Sequence, residues 1–361
     1  MTASNTKNIK VLIVDDSLFI RSLVSDFLKK DPQIKSVDTV SSGQDALLKI
    51  PLTRPDCIVL DLVMPGLDGL TTLKHIMRDF PTPVVILSAY SKEETDIALE
   101  CLEVGAISFV HKPSGEMSLD IEEVKERLTQ EIKAAAEIDL KKFKALITTR
   151  NSTSFHNLLA GNKIIVIGSS TGGPQTLEVI LQSLPSDFSI PVLVCQHMPN
   201  RFFSERFLHF LNKHCSLKVM VASDGDIISD STIYLAPGGS HLSITRHASF
   251  GGKARDKMQI ILNEAMPDTI TPSIDKAMQS VAAAYQENSI GIILSGIGND
   301  GLEGMRSIKK AGGKTIVQDE TALIFGMPKA VIDAGLADKV LPAEEIGRAM
   351  LEMEFGEPVS K

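Results

Sequence analysis

The sequence predicts an α/β protein of two domains, each built on a parallel sheet covered by helices. Short apolar runs alternate with amphipathic helical patterns through both halves of the chain, and this alternation is typical of parallel sheets. A length of 361 residues suits about two domains of ordinary size. The Thr/Ser/Asn-rich stretch 148–154 indicates a linker. We expect a first domain at residues 8–130, a helical and polar linker at 131–160 and a second domain at 161–355.

The composition argues against several classes of protein. Hydrophobic residues make up 43% and charged residues 23% of the chain, as in soluble globular proteins. The net charge of −8 argues against a nucleic-acid-binding domain, which is usually basic. Residues 1–10 lack the apolar core of a signal peptide, and no apolar run approaches the length of a membrane span. We therefore expect a cytoplasmic protein with no nucleic-acid partner and no membrane insertion.

The cysteines point to a reducing compartment. None of the four belongs to a Cys-x-x-Cys pair, and three lie in apolar surroundings. They are Cys57, Cys101, Cys195 and Cys215. We interpret them as reduced core thiols rather than as disulfides or zinc ligands.

In the first half, four apolar runs predict strands. They are Val11–Val14, Cys57–Leu60, Val84–Leu87 and Ala106–Val110. After the first run, four apolar residues recur at helical spacing and predict one buried helix face. They are Ile20, Leu23, Val24 and Phe27. A charged helix is expected from Asp120 to Lys144.

Carboxylates follow two of these strands. Asp15 and Asp16 come after the first run, and Asp61 follows Cys57–Leu60. The carboxyl ends of parallel strands lie at one edge of a sheet, so the three acids should meet there. A hard divalent cation such as Mg²⁺ would relieve their repulsion. Ser88 and Lys112 end two further strands and would complete a site for a phosphorylated carboxylate. The alternative is that these are solvated loop acids and an ordinary surface lysine.

With these matches in order, residues 8 to about 130 resemble a two-component receiver domain, which implies a flavodoxin-like, five-stranded parallel sheet. The resemblance implies that Asp61 accepts a phosphoryl group. The other implied roles are Mg²⁺ binding by Asp15, Asp16, Asp61 and the Val63 carbonyl, phosphoryl contact by Ser88 and Lys112, and switching by the aromatic Phe109. It also implies a cis peptide bond at Lys112-Pro113.

The second half opens with the run Gly-Ser-Ser-Thr-Gly-Gly-Pro at 168–174, directly after the apolar stretch 163–167. Gly-x-Ser-x-Gly is the nucleophile-elbow pattern, which presents a serine, here Ser170, at a sharp strand-to-helix turn. Pro174 suits the first turn of the helix that follows. Four apolar residues predict the buried face of that helix. They are Leu177, Ile180, Leu181 and Leu184.

Two later apolar runs end on residues that a serine nucleophile requires. The segment 192–197 ends on His197, and the segment 290–300 ends on Asp300. If their strands are parallel neighbours, both side chains converge with Ser170. Histidine can take the serine proton, and a carboxylate behind it fixes its tautomer. The order Ser, His, Asp differs from that of α/β-hydrolases. Gly172 would allow close approach of a substrate carbonyl, and the helix dipole would favour an oxyanion.

Other interpretations of these motifs remain open at this point. The glycine-rich run could be a phosphate-cradling loop, although it lacks a Gly-Lys-Ser/Thr ending. His197 could be a packed histidine at a strand end, and Asp300-Gly301 could be an ordinary turn. Five other histidines lie in polar or helical contexts, and we assign them no catalytic role. They are His156, His209, His214, His241 and His247.

Residues 162 to 354 resemble the catalytic domain of chemotaxis protein-glutamate methylesterases, which implies a doubly wound, mainly parallel α/β hydrolytic domain. The matching segments are Gly-Ser-Ser-Thr-Gly-Gly at 168–173, Gln-His-Met-Pro at 196–199, Ala-Pro-Gly-Gly at 236–239, Pro-Ser-Ile-Asp at 272–275, Gly-Asn-Asp-Gly at 298–301 and Phe-Gly-Met-Pro at 325–328. The resemblance implies that Ser170 is the nucleophile, His197 the general base and acid, and Asp300 the orienting carboxylate. It places Thr171 and Gly172 near the reaction centre and implies no cofactor in this domain.

The resemblance also implies partners and regulation. The expected substrates are glutamate methyl esters, and selected glutamines, on methyl-accepting chemoreceptors, and the expected phosphodonor is a chemotaxis histidine kinase. In the family the unphosphorylated receiver hinders access to the catalytic edge. Two residues depart from the family pattern: Ile297 stands where members often have methionine, and Thr271 where arginine is common. A non-catalytic scaffold or phosphate sink, or a serine hydrolase of another sensory pathway, is the alternative.

Overall fold

The computed structural model divides at about residue 141 into two compact units. The residues that it describes are 8–89, 91–112, 121–138, 163–213, 215–247, 257–265 and 269–355. Within these ranges no helix is long and apolar enough to cross a membrane.

In the first unit, strands and helices alternate along the chain. The strands are β1 (Ile9–Val14), β2 (Ile34–Val40), β3 (Cys57–Asp61), β4 (Val84–Ser88) and β5 (Ser108–His111). The helices are α1 (Leu18–Leu28), α2 (Gly43–Thr53), α3 (Gly69–Asp79), α4 (Lys92–Val104) and α5 (Ile121–Ala136). The strands pair in parallel in the order β2-β1-β3-β4-β5. This confirms the expected five-stranded parallel sheet.

The four strand predictions in this unit are confirmed, but β2 was missed. Most residues of β2 are exposed or half-buried, whereas all residues of β5, the strand at the other edge of the sheet, are buried. A partly exposed strand does not show the continuous apolar run of a buried parallel strand. The local sequence Ile-Lys-Ser-Val-Asp-Thr-Val therefore carries a weak strand signal.

The helix predictions hold in position but differ in detail. Ile20 and Val24 of α1 are buried as expected, whereas Leu23 and Phe27 are half-buried and Leu28 completes the buried face. Ser17 caps this helix by accepting a hydrogen bond from the Ile20 N–H. Helix α5 ends at Ala136, earlier than predicted, because Glu137 lies in a turn and Ile138 is not helical; residues 139–144 of the predicted helix lie outside the described residues.

The second unit is larger. Its strands are β6 (Ile164–Ser169), β7 (Val192–Gln196), β8 (Lys218–Val221), β9 (Thr232–Leu235), β10 (Ser240–Arg246), β11 (Met258–Glu264), β12 (Ser289–Ile293), β13 (Lys314–Gln318) and β14 (Lys339–Leu341). Its helices are α6 (Gly173–Gln182), α7 (Arg201–Asn212), α8 (Ile274–Tyr285), α9 (Leu302–Lys310), α10 (Met327–Asp333) and α11 (Ala343–Phe355).

Seven of these strands form a parallel sheet in the order β14-β13-β12-β6-β7-β9-β8. Strands β10 and β11 form a separate antiparallel pair. The chain runs from β6 to one side through β7 and later returns to the other side of β6 through β12. Ligands bind at such a reversal of strand order, outside the carboxyl ends of the strands. The mainly parallel α/β prediction is confirmed.

The helix behind the serine motif is almost fully buried. All four residues predicted for its inner face are buried, although Leu184 lies after the helix, which ends at Gln182; Pro174 lies in its first turn. The cysteine prediction is also confirmed for three of the four residues: Cys57, Cys101 and Cys195 are free and buried, and Cys215 is free and half-buried. Burial raises the pKa of the Cys101 thiol to about 12, which keeps it protonated and unreactive.

Candidate active site

Ser170 lies at the turn between β6 and α6. Its N–H donates to the Ser295 carbonyl at 2.9 Å, and its own carbonyl accepts from the Gly173 N–H at 2.8 Å. Gly172 has a φ of 73°, in the left-handed region that favours glycine. A Cβ at this position would come within 2.7 Å of the Ser295 hydroxyl and 2.8 Å of the Leu323 Cβ. The turn therefore requires glycine for both conformation and space.

The three residues predicted to converge do so. The His197 Nδ1 lies 3.0 Å from the Ser170 Oγ, and its Nε2 lies 2.9 Å from the Asp300 Oδ2. A carboxylate at Nε2 assigns the imidazole proton to that nitrogen, so Nδ1 is left to accept the serine proton. Ser170 and His197 directly follow the parallel neighbours β6 and β7, and Asp300 lies in the loop between β12, on the other side of β6, and helix α9. The three side chains thus form a continuous hydrogen-bonded chain of hydroxyl, imidazole and carboxylate, the order that a serine nucleophile, a general base and an orienting carboxylate require.

Asp300 is held by the beginning of helix α8. Its Oδ2 accepts from the Ile274 N–H at 2.8 Å, and its Oδ1 accepts from the Asp275 N–H at 2.9 Å. Burial alone would raise the pKa of Asp300. The hydrogen bond and charge of His197, together with these two N–H groups, hold that pKa below its ordinary value. Asp300 is therefore an ionised acceptor opposite the imidazole.

Gln196 is a buried site residue that the sequence analysis did not single out. Its Nε2 donates to the Ser170 carbonyl at 2.9 Å and to the His197 carbonyl at 3.2 Å, while its Oε1 accepts from the Ser169 hydroxyl at 2.7 Å. One amide thus joins the main chains of the nucleophile and the base. Two signals pointed to this residue: its position directly before His197 at the end of an apolar run, and its place in the segment Gln-His-Met-Pro at 196–199.

The segment after β12 forms the other wall. The Gly296 N–H donates to the Ile324 carbonyl at 3.1 Å, and the Met327 N–H donates to the Gly296 carbonyl at 2.9 Å. A Cβ at Gly296 would lie 2.8 Å from the Ser170 Cβ, so glycine allows the wall to approach the serine. Ile297, one of the two departures from the family pattern, is half-buried in this wall.

The residue after Ser170, Thr171, is held by the segment that follows β12. Thr171 is buried, and its carbonyl accepts from the Ser295 hydroxyl at 2.7 Å. The Ser295 hydroxyl also accepts from the Ile324 N–H at 2.9 Å. Thr171 and Gly172 therefore lie in contact with a rigid main-chain layer, beside the serine as the sequence placed them.

Thr271, the second departure, is buried and structural. Its Oγ1 accepts from the Gly239 N–H at 2.9 Å and donates to the Met198 carbonyl at 3.3 Å. The peptide bond that it forms with Pro272 is cis. Threonine at this position joins the Gln-His-Met-Pro and Ala-Pro-Gly-Gly segments at the floor of the site.

His241 lies closer to the site than its sequence context suggested. It is buried, and its Nδ1 accepts from the Ser273 N–H at 3.1 Å. Burial and the nearby charge of Lys276 lower the pKa of His241, so it is neutral. Among the other histidines to which the sequence assigned no catalytic role, His209 and His247 lie away from Ser170 and Asp300. His156 and His214 fall outside the described residues.

A second constellation lies at the carboxyl edge of the first sheet. One carboxylate oxygen from each of Asp15, Asp16 and Asp61 lies within 4.8 Å of the others. The Lys112 Nζ lies 2.9 Å from the Asp15 Oδ2 and 2.8 Å from the Asp61 Oδ1. Asp15 and Asp61 are buried, whereas Asp16 is exposed.

This acidic cluster suits a divalent cation and a phosphoryl group. The pKa of Asp61 is raised to about 6, chiefly by burial and also by the charge of Asp15, while Lys112 and the Val63 N–H act in the opposite direction. Among the described residues, the Asp61 Oδ2 and the Ser88 Oγ are buried without a hydrogen-bond partner. Carboxylates clustered at this distance are the ligands that Mg²⁺ prefers. These carboxylates therefore fit the expected Mg²⁺. The Asp61 Oδ2 and the Ser88 Oγ are left to interact with the ion or with a phosphoryl group.

Other receiver predictions have mixed outcomes. Phe109 is buried and packs edge-on against His111, with ring centroids 5.8 Å apart. Val63 is exposed, and its N–H donates to the Asp61 Oδ1 at 3.3 Å. The expected cis bond at Lys112-Pro113 lies outside the described residues, because Pro113 is not among them.

Comparison with known proteins agrees with this arrangement. The CheB methylesterase family model matches residues 165–350, and the response regulator receiver domain model matches residues 11–122. The chain belongs to the CheB methylesterase family. It is a hydrolase of that family with an N-terminal receiver domain.

Relatives share nearly the whole length of this methylesterase. It is 38% identical over 353 residues to the protein-glutamate methylesterase/protein-glutamine glutaminase of Geobacillus kaustophilus, covering 96% of this chain and 99% of the relative. It is 39% identical over 360 residues to the protein of the same name from Caldanaerobacter subterraneus subsp. tengcongensis, covering 96% of each. The crystal structure of the Thermotoga maritima CheB methylesterase catalytic domain is 37% identical and covers 54% of this chain and 99% of that one, with a TM-score of 0.49.

Proposed function

We propose that this methylesterase hydrolyses glutamate methyl esters on the cytoplasmic part of methyl-accepting chemoreceptors, and deamidates selected glutamines there. The observation that carries the proposal is the hydrogen-bonded chain from Ser170 through His197 to Asp300. The names of the relatives support the substrate class. The free, buried cysteines suit the reducing cytoplasm in which we place the protein.

The proposed reaction is acyl transfer through the serine. The Ser170 Oγ attacks the ester carbonyl while the His197 Nδ1 takes its proton. The same nitrogen returns the proton to the departing methanol, or to ammonia when the substrate is a glutamine amide. Water then attacks the acyl-serine, its proton passes to Nδ1, and glutamate is released as the Ser170 hydroxyl re-forms. The ionised Asp300 stabilises the imidazolium at both stages.

Stabilisation of the oxyanion is assigned to the turn after Ser170. Gly172 has no side chain, so a substrate carbonyl can approach the backbone closely. Helix α6 begins at Gly173 and directs the positive end of its dipole at this point. We propose Thr171 and Gly172 as residues next to the reaction centre, supported by the layer that fixes them against Ser295.

In the receiver we propose Asp61 as the phosphoryl acceptor. Asp15, Asp16 and Asp61 would hold Mg²⁺, with the Val63 carbonyl, and the bound ion would neutralise charge on the incoming phosphoryl group. The Ser88 hydroxyl and the Lys112 ammonium lie at the same edge and would contact that group. Phe109 is proposed as the aromatic residue that responds to it.

The proposed control is a shift between two arrangements of the domains, driven by phosphorylation from a chemotaxis histidine kinase. Phosphorylation can shift such a balance only through its different stabilisation of the two arrangements. We propose domain boundaries of 8–130 for the receiver and 161–355 for the catalytic domain, with 131–160 between them. The family matches at 11–122 and 165–350 support these limits.

The test is methanol release from methyl-labelled receptor membranes, with Mg²⁺ and with or without a small-molecule phosphodonor. We expect release that rises with the phosphodonor. Ser170→Ala should fold and accept phosphate normally, but its release should fall by about 10⁴-fold or more. Comparable release from this variant would remove Ser170 from the mechanism.

A negative result would also be informative. Phosphorylated, folded wild-type protein that released no methanol would act on another substrate or serve as a scaffold. Reaction of Ser170 with a fluorophosphonate would separate these two outcomes, because only a working hydrolase activates its serine.

A further inference from the structure

Each free main-chain N–H group at the beginning of α8 donates to a side-chain acceptor. The four N–H groups at the beginning of a helix have no partners within it. Here the Ser273 N–H donates to the His241 Nδ1, and the Lys276 N–H donates to the Ser273 hydroxyl. The two remaining groups, of Ile274 and Asp275, both donate to the Asp300 carboxylate. The orientation of Asp300 therefore depends on where this helix begins.

The arrangement is reciprocal. The Asp275 Oδ1 accepts from the Gly301 N–H at 2.9 Å and from the Gly304 N–H at 2.7 Å. These groups lie at the beginning of α9, directly after Asp300. The Asp300 carboxylate thus binds the beginning of α8, which contains Asp275, and the Asp275 carboxylate binds the beginning of α9, which follows Asp300. Four hydrogen bonds join these two segments, whose aspartates are 25 residues apart.

The same two segments are closely packed against each other at glycines. A Cβ at Gly304 would come within 2.5 Å of the Met278 Cβ on α8. A Cβ at Gly301, whose φ is 99°, would lie 2.4 Å from the Ile293 Cδ1 and 3.0 Å from the Ile274 Cγ2. The two helix starts are in direct contact, so the carboxylates work as one unit.

We propose that Asp275 is the positioning residue for Asp300: it fixes the start of α9 and thereby aims the Asp300 carboxylate at the His197 Nε2. This inference rests on the proposed serine mechanism. Asp275 does not itself touch the substrate or the reacting atoms, so its effect on the rate passes through Asp300.

The competing explanation is that Asp275 affects the rate only through its negative charge. Glu303 provides a matched control for this. Glu303 lies in the same first turn of α9, but it is exposed and pairs with Arg306 at 3.1 Å. Glu303→Gln removes a negative charge near Asp275 without breaking any of the four hydrogen bonds. The pKa of Asp275 is raised by burial and by the charges of Asp300 and Glu303, although the two glycine N–H groups oppose this rise.

The experiment uses the full chain and two readouts. One is the rate at which a fluorophosphonate labels Ser170, which needs the triad but no receptor. The other is kcat and KM for methanol release from receptor membranes. Asp275→Ala should lower the labelling rate and kcat by about 10²-fold with KM little changed, because misplacement by about 1 Å costs that much. Asp275→Asn keeps an acceptor oxygen for both glycines, so we expect rates within about fivefold of wild type.

A double variant makes the test specific. If Asp275 acts only through Asp300, then Asp275→Ala should lower the labelling rate no further in an Asp300→Ala background. Glu303→Gln should match wild type. If Asp275→Ala does not fold by circular dichroism, Asp275→Ser, whose shorter side chain cannot bridge both glycines, takes its place.

Three outcomes would overturn the proposal: wild-type rates in Asp275→Ala, an additive loss in the double variant, or an equal loss in Asp275→Asn, which would indicate charge. Wild-type protein that labels at Ser170 but releases no methanol would overturn the proposed substrate and leave this inference tested. Wild-type protein that does not label would overturn both.

Discussion

At the scale of single residues, the site depends on polar side chains that bind main-chain groups. Gln196 joins the carbonyls of Ser170 and His197, Ser295 holds the Thr171 carbonyl, and Asp275 holds the start of α9. Buried polar groups with all partners present fix one geometry, and the same groups left unpaired are costly. The reacting atoms are thus held in place by groups that take no part in the chemistry.

Gln196→Glu should therefore reduce turnover. The carboxylate of the variant would place an oxygen where the Gln196 Nε2 now donates to the carbonyl oxygens of Ser170 and His197. Two donated hydrogen bonds would be replaced by repulsion between oxygens. We expect kcat to fall by about 10–100-fold, since one lost buried partner costs about 1–3 kcal/mol. Steady-state methanol release measures the effect. Gln286→Glu is the control, because Gln286 is exposed and also donates to a main-chain carbonyl, that of Ala283; an equal loss there would contradict the explanation.

Asp61 predicts a dependence of receiver stability on pH. Its pKa is about 6 in the folded protein against an ordinary value of 3.8, so between these values the folded state binds more protons. The free energy of unfolding then falls as the pH rises from about 4 to 6, by about 3 kcal/mol at most. In EDTA, Asp61→Asn should stabilise the receiver by about 1–3 kcal/mol at pH 7.5. The gain should shrink towards pH 4.

Urea unfolding of the receiver transition at several pH values measures this. Asp45→Asn, at an exposed carboxylate that accepts from the Ser42 hydroxyl, is the control and should show no such gain. A gain for Asp61→Asn that does not change with pH would contradict the explanation by burial.

At the scale of elements, the beginning of helix α9 depends on a glycine, Gly301, whose close packing is not evident from the sequence. Gly301→Ala would place a methyl group against Ile293 and force a φ of 99° on alanine. We expect a loss of about 2–4 kcal/mol in the free energy of unfolding, since strain and overpacking add. Activity should also fall, because Asp300 precedes this position.

Chemical denaturation and fluorophosphonate labelling together measure this prediction. Gly335→Ala is the matched control: its φ is 66°, but no atom lies within 4 Å of a Cβ there. It should lose only about 1 kcal/mol from backbone strain and keep full labelling. Equal losses in the two variants would show that crowding at Gly301 does not matter.

The sequence predicted the buried strands well. It predicted poorly the exposed strand β2 and the side chains whose hydrogen-bond partners are distant in sequence. Strands β1, β3 and β4 carry apolar runs, whereas three of the seven residues of β2 are exposed and only one is buried. The triad residues could be located because each follows a buried strand. The contacts of Asp275 and His241 could not be predicted, although Asp275 ends the segment Pro-Ser-Ile-Asp, because their partners are distant in sequence.

At the scale of the whole molecule, the two domains perform different chemistry that we propose to be linked. Asp61→Asn removes the proposed phosphoryl acceptor but none of the groups around Ser170. Basal methanol release should therefore stay at the wild-type level, while stimulation by a phosphodonor is lost. Methanol release with and without acetyl phosphate measures both quantities. Stimulation that persists in this variant would contradict control through the receiver.

The position of β12 in the sheet has a consequence for how the enzyme is made. Strand β6 pairs with β7 on one side and with β12 on the other, yet β12 is synthesised long after both. A growing chain on the ribosome therefore has its serine and histidine before it has the strand that carries their carboxylate. Until then one edge of β6 is open to pairing with other chains. The strand that covers this edge and the carboxylate that completes the hydrogen-bonded chain therefore both come from the later part of the same domain.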